Sequence, residues 1–528
     1  MGCYEAPTFY FVRTDGDDAN TGTGPDASSA WATIDHAAET VSAGSTVYVQ
    51  AGTYNEIVSP TVDGTEGSPI RFIGDRNGAV DGWGGGSVTI QAPAGDRAMF
   101  LNRNDYLEFS GFHIYTEDIQ AIYLYICKGV RLDRCDITNT TTHAIYIYNT
   151  TATLTNLLVH DGGGMGLYVF GNSDIHMYHC TIANNANDGM RAVNTAKVNL
   201  QNSIVAFNGR FGLYQSTGVI TSDNNIVHGN TTNNYVTTVP GAGDLNVDPE
   251  FVCDDVYYLS DTSPAIDAGI NLSGFVENDL DANPRPIGTG WEAGTGGGSD
   301  LVGHWKLDES SGTLAADSSG YAWHGTYGAG PVLGEKSSSS SLGTAVEFDG
   351  TNDHVDLPQG ELSFANGFSV SVWVKPTDTP APGEFVGFLG LGNGVGVDEV
   401  WFGWVGGAVG LQLYLTDTID GNALRTIEDN TSFSEGKWVY CVATVDAAGN
   451  ATLYRNGDVT KTGFNTSLPK SILRTANTIA TSPSNDYFPG LLDDVRIYNR
   501  PLCAEEVDAA YQSGRAKGVR IIKWVEVK

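Results

Sequence analysis

Residues 121–125 read AIYLY, and the pattern returns as AIYIY at 144–148, GLYVF at 166–170, GMRAV at 189–193 and GLYQS at 212–216. Each is followed by a second strand pattern reaching a near-fixed position: Arg134, Asn156, His179, Asn202 and Asn224, at intervals of 22, 23, 23 and 22 residues. An apolar residue expected to face inward comes next each time, at Ile137, Val159, Ile182, Val205 and Val227. A period this short, made of three brief strands and polar turns, is the signature of a coiled parallel β-solenoid. Leucine-rich repeats share the length, but their leucine–asparagine consensus is absent.

Strand alternation then sorts the side chains. Ile122, Leu124, Ile145, Ile147, Leu167, Val169 and Leu213 are expected inside. Outside, one column holds Tyr123, Tyr146, Tyr168, Arg191 and Tyr214, and a parallel one holds Tyr125, Tyr148, Phe170, Val193 and Ser216. Five coils at about 4.8 Å each span roughly 20 Å, the length of several sugar units. Tyrosine offers a sugar ring an apolar face and its polar edge a hydroxyl. Tyr123, Tyr146, Tyr148, Tyr168, Phe170 and Tyr214 are therefore candidate substrate contacts. A covering loop, or stacking that only stiffens the solenoid, is the competing reading.

Arg191 interrupts this face and is the candidate for engaging a carboxylate or sulfate. Turns feeding the strands add His143, His160, Asp161, Asp188 and Arg210, of which His143, Asp161, Asp188 and Arg210 are candidate catalytic groups. Asp188 and Asp161 come from adjacent coils, which could give the two carboxylates that an inverting hydrolase needs. A lyase would instead use Arg191 to neutralise a uronate, with Tyr168, His143 or Arg210 as base. Asp188 and Arg191 could equally be a structural surface pair.

The chain has 528 residues, enough for two or three domains with substantial cores. Its formal charge of −34, from 62 acidic and 28 basic residues, argues against a nucleic-acid partner. No run of 18 apolar residues exists, so no transmembrane helix is expected. The opening MGCYEAPTFYF lacks a signal-peptide pattern, although a chain cut just after its signal would look the same. Cys3 then reads either as an incidental cysteine or as the remnant of a lipid-anchor site. The seven cysteines show no CxxC spacing and make no disulfide framework. Cys135 and Cys180 share a repeat position two coils apart, about 9–10 Å and too far to bridge.

Residues 8–55 carry a strand, a DGDDANTGT turn, an ATIDHAAETV helix with Ile34, Ala37, Ala38 and Val41 in one stripe, and VYVQAGTY. Together they resemble the opening of secreted right-handed parallel β-helix proteins of the pectate-lyase-like superfamily. VDPEFVCDDVYYLSDTSPAIDAG and NDLDANPRP, ending near Ile287, resemble the closing segment of such proteins. The resemblance implies an extracellular, secreted or cell-surface location. It also implies a ladder of stacked asparagines at Asn156, Asn202 and Asn224, with Arg134 and His179 departing from it. That ladder would make AIYLY the first strand of each coil, the floor of the substrate groove in polysaccharide-active members. Asp15, Asp17 and Asp18, with Asn20, resemble a calcium loop, against the alternative of a metal-free polar turn.

GTGGGSD at 294–300 reads as a flexible linker. Beyond it, LVGHWKLDESSG, AVEFDGTNDHVDLP, FSVSVWVKP, GKWVYCVATVD, ATLYRNGD and GLLDDVRIYNRPL follow in order. They resemble the laminin-G-like, concanavalin-like jelly-roll superfamily, an antiparallel β-sandwich. Members often hold one structural calcium, which makes Asp317, Asp493 and Asp494 candidate ligands.

The chain is thus expected to be all-β, a right-handed parallel β-helix followed by a jelly roll. The expected divisions are an extension at 1–7, the β-helix with its cap helix at 8–290, and a linker at 291–300. The jelly roll at 301–512 and a basic tail at 513–528 complete them. The tail alternates like a strand, either completing a sheet or serving self-assembly. The function expected is a secreted protein that cleaves an acidic polysaccharide and carries an accessory glycan-binding domain. The alternative is a non-catalytic adhesin or surface-assembly protein.

Overall fold

The structure, a computed structural model, describes residues 8–515 except 77, 81–82, 84–85, 139–140, 253–256, 261–262, 281–284, 286–289, 296–300, 320, 363, 365–366, 408, 417–424, 465–467, 470–471, 483 and 485. Cys3 and the basic tail from residue 516 therefore lie outside the described residues. The chain divides into two units, Met1–Ser299 and Asp300–Lys528.

The first unit is a parallel β-solenoid whose strands stack into three sheets of nine, eight and seven strands. One coil runs through His143–Tyr148, Thr151–Thr155 and Leu158–His160, then enters the next at Met165–Phe170. The 22–23-residue period survives as register: Tyr123 pairs with Tyr146, Tyr146 with Tyr168, Tyr168 with Arg191 and Arg191 with Tyr214. The seven residues expected inside the third sheet are all buried in one continuous core. Helix α1 (Ile34–Thr40) buries Ile34, Ala37 and Ala38 against that core at its open end. Cys127, Cys135 and Cys180 are buried free thiols.

The asparagine ladder is real but occupies another turn. Arg134, Asn156, His179, Asn202 and Asn224 all take the left-handed conformation, with φ of 49–54°. Their side chains face a covering segment, Asn156 donating to the Asn278 carbonyl, Asn202 to Ile270 and Asn224 to Ala268. The stacked amides are Asn185, Asn208 and Asn230, in the turn entering the third sheet. Asn185 Nδ2 donates to Asn208 at 3.0 Å, and Asn208 Nδ2 to Asn230 at 2.9 Å. Asn208 also serves the Ile182 and Ala206 carbonyls. The reason for calling AIYLY the groove-floor strand of the family thereby falls, and the third sheet must be judged on its own geometry. Asn208→Ala would leave buried amide and carbonyl groups unpaired, so urea unfolding should show a loss of about 2 kcal/mol.

The cover closes on a buried ion pair. Arg285 meets Glu292, and its other nitrogens donate to Asn156 Oδ1 and to the Asn278, Gly294 and Thr295 carbonyls. Trp291, Glu292, Ala293 and Thr295 are buried. Residues 291–295 are therefore part of the solenoid's cover, where a linker was expected from residue 291, because Gly294 admits the chain closely against Thr181 and Ile204.

The second unit is an antiparallel β-sandwich. One sheet centres on Gly367–Pro376 and Pro489–Tyr498, and the other on Phe385–Leu391 and Val400–Val405. Both faces contribute to one core that includes Trp305, Phe348, Phe368, Phe388, Phe402 and Phe488. The sequence after the last strand forms helix α2 (Ala504–Gly514), which seats Val507 against Trp373, Tyr440 and Leu502. Cys441 is a buried free thiol, whereas Cys503 is disulfide-bonded. Among the described residues, no helix is long and apolar enough to cross a membrane.

Candidate functional site

The outward columns of the third sheet form a continuous aromatic face. Ring centroids are 4.8 Å apart for Tyr123–Tyr146, 5.3 Å for Tyr146–Tyr168, 5.2 Å for Tyr125–Tyr148 and 5.3 Å for Tyr148–Phe170. His143 extends the stack, parallel to Tyr168 at 5.1 Å. All are half-buried, with one ring face toward solvent or a neighbour. The columns continue one coil further than the sequence reading took them. Phe100 lies 5.5 Å from Tyr123, and the Arg97 guanidinium sits 4.8 Å over Tyr123. Stepping back 23 residues from Tyr123 reaches Phe100, so the signal was present, but the irregular turn before Met99 hid it.

At the other end, Arg191 lies 4.6 Å from the Tyr214 ring and Arg210 4.3 Å from Phe211. Asp188 sits between these two cations, fully buried. Its ion pair is with Arg210, at 3.7 Å, and not with Arg191 as a surface pair would require. Neither Asp188 oxygen has a hydrogen-bond partner, and Arg191 Nε, His143 Nδ1 and Thr142 Oγ1 are buried without one as well. Buried polar atoms are normally satisfied, so such a cluster marks a place where water or a ligand completes the bonding. Burial raises the Asp188 carboxyl above the ordinary range, opposed by Arg210 and Arg191. Burial, and then Arg191, lowers His143, so its imidazole is neutral near pH 7. The site thus offers a fixed cation, a neutral base and a carboxyl that resists ionisation.

Asp161 does not join it. Its carboxylate is held by His160 at 2.7 Å, Tyr257 at 2.8 Å and Asn184, in the turn after the second sheet. His160 also contacts Asp136 at 2.9 Å, and Asp136 contacts His113 at 3.0 Å. The pairing of Asp161 with Asp188 expected from adjacent coils is therefore replaced by a structural clamp on Tyr257. Burial alone would lower His160, but hydrogen bonds to Asp136 and Asp161 outweigh it and raise the ring to about 9. A raised folded-state value stabilises fully below the unfolded value near 6.5 and is lost as pH rises through about 9. The shift corresponds to a loss on the order of 3 kcal/mol. Solenoid melting followed from pH 6 to pH 10 should show this decline, and His160→Gln should flatten it.

The proposed calcium ligands were tested by their donors. Asp18 accepts from the Ala32 and Thr33 amides and from Thr33 Oγ1, Asp17 from the Ala19 amide, and Asp15 is held by Arg13. Asp317 accepts from His304, Ser319 and Trp323, while Asp494 is bound by His304 and Arg496. Asp493 alone keeps a buried oxygen without a partner, its carboxyl pushed up to about 8 by burial. A hard cation needs six or more oxygens, and among the described residues no group of three or more His, Cys, Asp or Glu could hold a metal. Asp15, Asp17, Asp18, Asp317 and Asp494 are thus engaged by protein donors, and Asp493 keeps one buried oxygen free of them.

Comparison with known families agrees with this architecture. Residues 97–248 match the family described as the right handed beta helix region, and residues 349–508 match the concanavalin A-like lectin/glucanases superfamily. The chain joins a right-handed β-helix to a concanavalin-like domain. A comparison with curated proteins gives no match. Among solved structures, domain 4 of AbnA, a GH43 extracellular arabinanase from Geobacillus stearothermophilus in complex with arabinotriose, is 22% identical with a TM-score of 0.33. That match covers 40% of this chain and 98% of the other. The binding domain of Paraclostridial Mosquitocidal Protein 1 is 16% identical at a TM-score of 0.32, covering 40% and 52%. A Trypanosoma rangeli sialidase is 15% identical at 0.31, covering 45% and 36%. The chain spans about half of the mosquitocidal binding domain and about a third of the sialidase, and likenesses this distant bear on neither ligand nor activity. The case for the β-helix face rests on its own side chains.

Proposed function

We propose that the β-helix binds an acidic polysaccharide along its aromatic face and cleaves it beside Arg191. The concanavalin-like domain then acts as an accessory glycan-binding module of an extracellular protein. The supporting observation is the buried Asp188 beside Arg191 at the end of an aromatic column, its oxygens without a side-chain hydrogen bond and its one ion pair a 3.7 Å contact to Arg210. Sugar rings stack on the tyrosines, and Arg191 neutralises a uronate carboxylate. With Asp161 committed elsewhere, one carboxyl remains, which favours elimination over inverting hydrolysis. Tyr168 or His143 takes the proton next to the carboxylate, a carbon–carbon double bond forms, and the glycosidic bond breaks. Asp188, whose carboxyl burial raises above the ordinary range, is the group placed to return a proton to the leaving oxygen. Tethering a second glycan-binding domain raises the local substrate concentration.

A screen against acidic and neutral polysaccharides tests this. Products absorbing in the ultraviolet establish elimination, and new reducing ends without that absorbance establish hydrolysis. Binding with neither product supports the second reading, a non-catalytic adhesin, which the complete burial of Asp188 favours.

A further inference from the structure

We propose a second anion-binding site on the β-helix, away from the aromatic face, that takes a carboxylate- or sulfate-bearing sugar. Between the first sheet and the covering segment lies a cavity of about 310 Å³, lined by Arg131, Asp133, Arg134, Asn156, Phe275 and Glu277, among others. Its size is at the lower end for small-ligand sites and suits a single sugar.

Around Asp133 and Asn156, the hydrogen-bonding capacity left in this cavity lies with donors. Asp133 already accepts from Thr155 at 2.6 Å, Asn156 at 3.1 Å, Arg134 at 3.1 Å and Ser110 at 3.3 Å. Asn156 is engaged at both ends, donating to Asp133 and to the Asn278 carbonyl and accepting from Arg285. The donors are not used up. Each guanidinium has five N–H groups. Arg134 places Nε on Asp133 and Nη2 on Ser110. Arg131 makes one long contact, 3.4 Å to the Phe275 carbonyl. Arg131 and Arg134 with spare donors, beside Asp133 and Asn156 whose acceptors are taken, favour an acceptor-rich acidic group held on the arginine side of the cavity, with the free Glu277 carboxylate at the opposite rim.

Phe275 supplies the rest of the recognition. Its ring is 60% exposed, beside the cavity and 5.6 Å from Tyr178. An exposed aromatic on a soluble surface, adjoining paired arginines, gives a sugar ring an apolar face while its acidic group reaches the guanidinia. The exposed Glu277 at the rim admits a sugar's hydroxyls as donors and disfavours a ligand of high charge density.

The test uses the full chain, with glucuronate, glucose 6-sulfate and glucose as probes in titration calorimetry and saturation-transfer NMR. The acidic sugars should bind and glucose should bind at least tenfold more weakly. Binding of only glucuronate or only glucose 6-sulfate assigns the anion and supports the site. Arg131→Glu should reduce acidic-sugar binding at least tenfold, and Phe275→Ala should reduce it several-fold. Arg131 stands on the outward face of the first sheet and Phe275 is exposed on the cover, so melting curves should stay near wild type. Acidic-sugar binding that persists in Arg191→Ala and is lost in Arg131→Glu belongs to this cavity, whereas binding lost only in Arg191→Ala belongs to the aromatic face, so failure here and failure of the aromatic-face reading are separable. No binding of either acid, equal binding of glucose, or binding unchanged in Arg131→Glu would overturn the proposal.

Discussion

Arg191→Ala is expected to lower turnover of an acidic polysaccharide by about 10²-fold or more, since it removes a preorganised cation from a water-poor site. The guanidinium does three things at once. It lies over Tyr214, its Nε points into the unsatisfied cluster, and its charge acts on both Asp188 and His143. Removing it should move Asp188 further up, since one of the two opposing cations is gone, and should let His143 rise. The pH–rate profile should therefore shift upward on both limbs, which loss of a merely structural contact would not produce. Arg191→Lys keeps the charge without the fork and should recover part of the affinity. Product formation and polymer binding, compared across pH 5 to 9, decide the matter; unchanged behaviour would move the site off this face.

Arg285→Met should cost about 3–5 kcal/mol, because it strands Glu292 as a buried charge and leaves several carbonyls without a donor. Arg285 and Glu292 are both essentially inaccessible, and the guanidinium ties together four separate stretches of chain. Urea unfolding should report the loss, and hydrogen exchange should localise it to residues 265–295. Arg285→Met combined with Glu292→Leu should recover much of it, as a well-packed apolar pair replaces a desolvated one. A loss under about 1 kcal/mol for the single variant would mean that the cover is held by its apolar contacts alone, Trp291 and Leu272 among them.

These two sites differ in how far the sequence announced them. Arg191 was legible because a fixed period turns sequence spacing into spatial columns: once Tyr123, Tyr146 and Tyr168 align, Arg191 must stand next. The same period misled on the ladder. Asn202 and Asn208 lie six residues apart, and the columns through each recur every 22 or 23 residues. Spacing alone cannot tell the left-handed turn position from the buried amide. Backbone conformation decides that, and both turns tolerate asparagine. Asp161 failed for a related reason: adjacency in coils places backbones about 4.8 Å apart but says nothing of side-chain commitments to Tyr257, 96 residues away. The Arg285–Glu292 pair belongs to no repeat, so no periodic argument could reach it. In the sandwich, the strands were legible from alternation, whereas α2 was obscured because its buried apolar residue, Val507, is nearly alone.

The in-register pairing of each coil with only its two neighbours makes the tube a row of interchangeable cassettes. Excising one cassette would bring Tyr123 directly beside Tyr168, shortening the face by a single rung while leaving the ends intact. Duplicating one would lengthen it by the same rung. Reach along a polymer can therefore be altered by unequal crossing-over in whole steps, without redesign of any turn. The end fixed by Asp188 and its two arginines stays untouched as the aromatic face before it grows or shrinks.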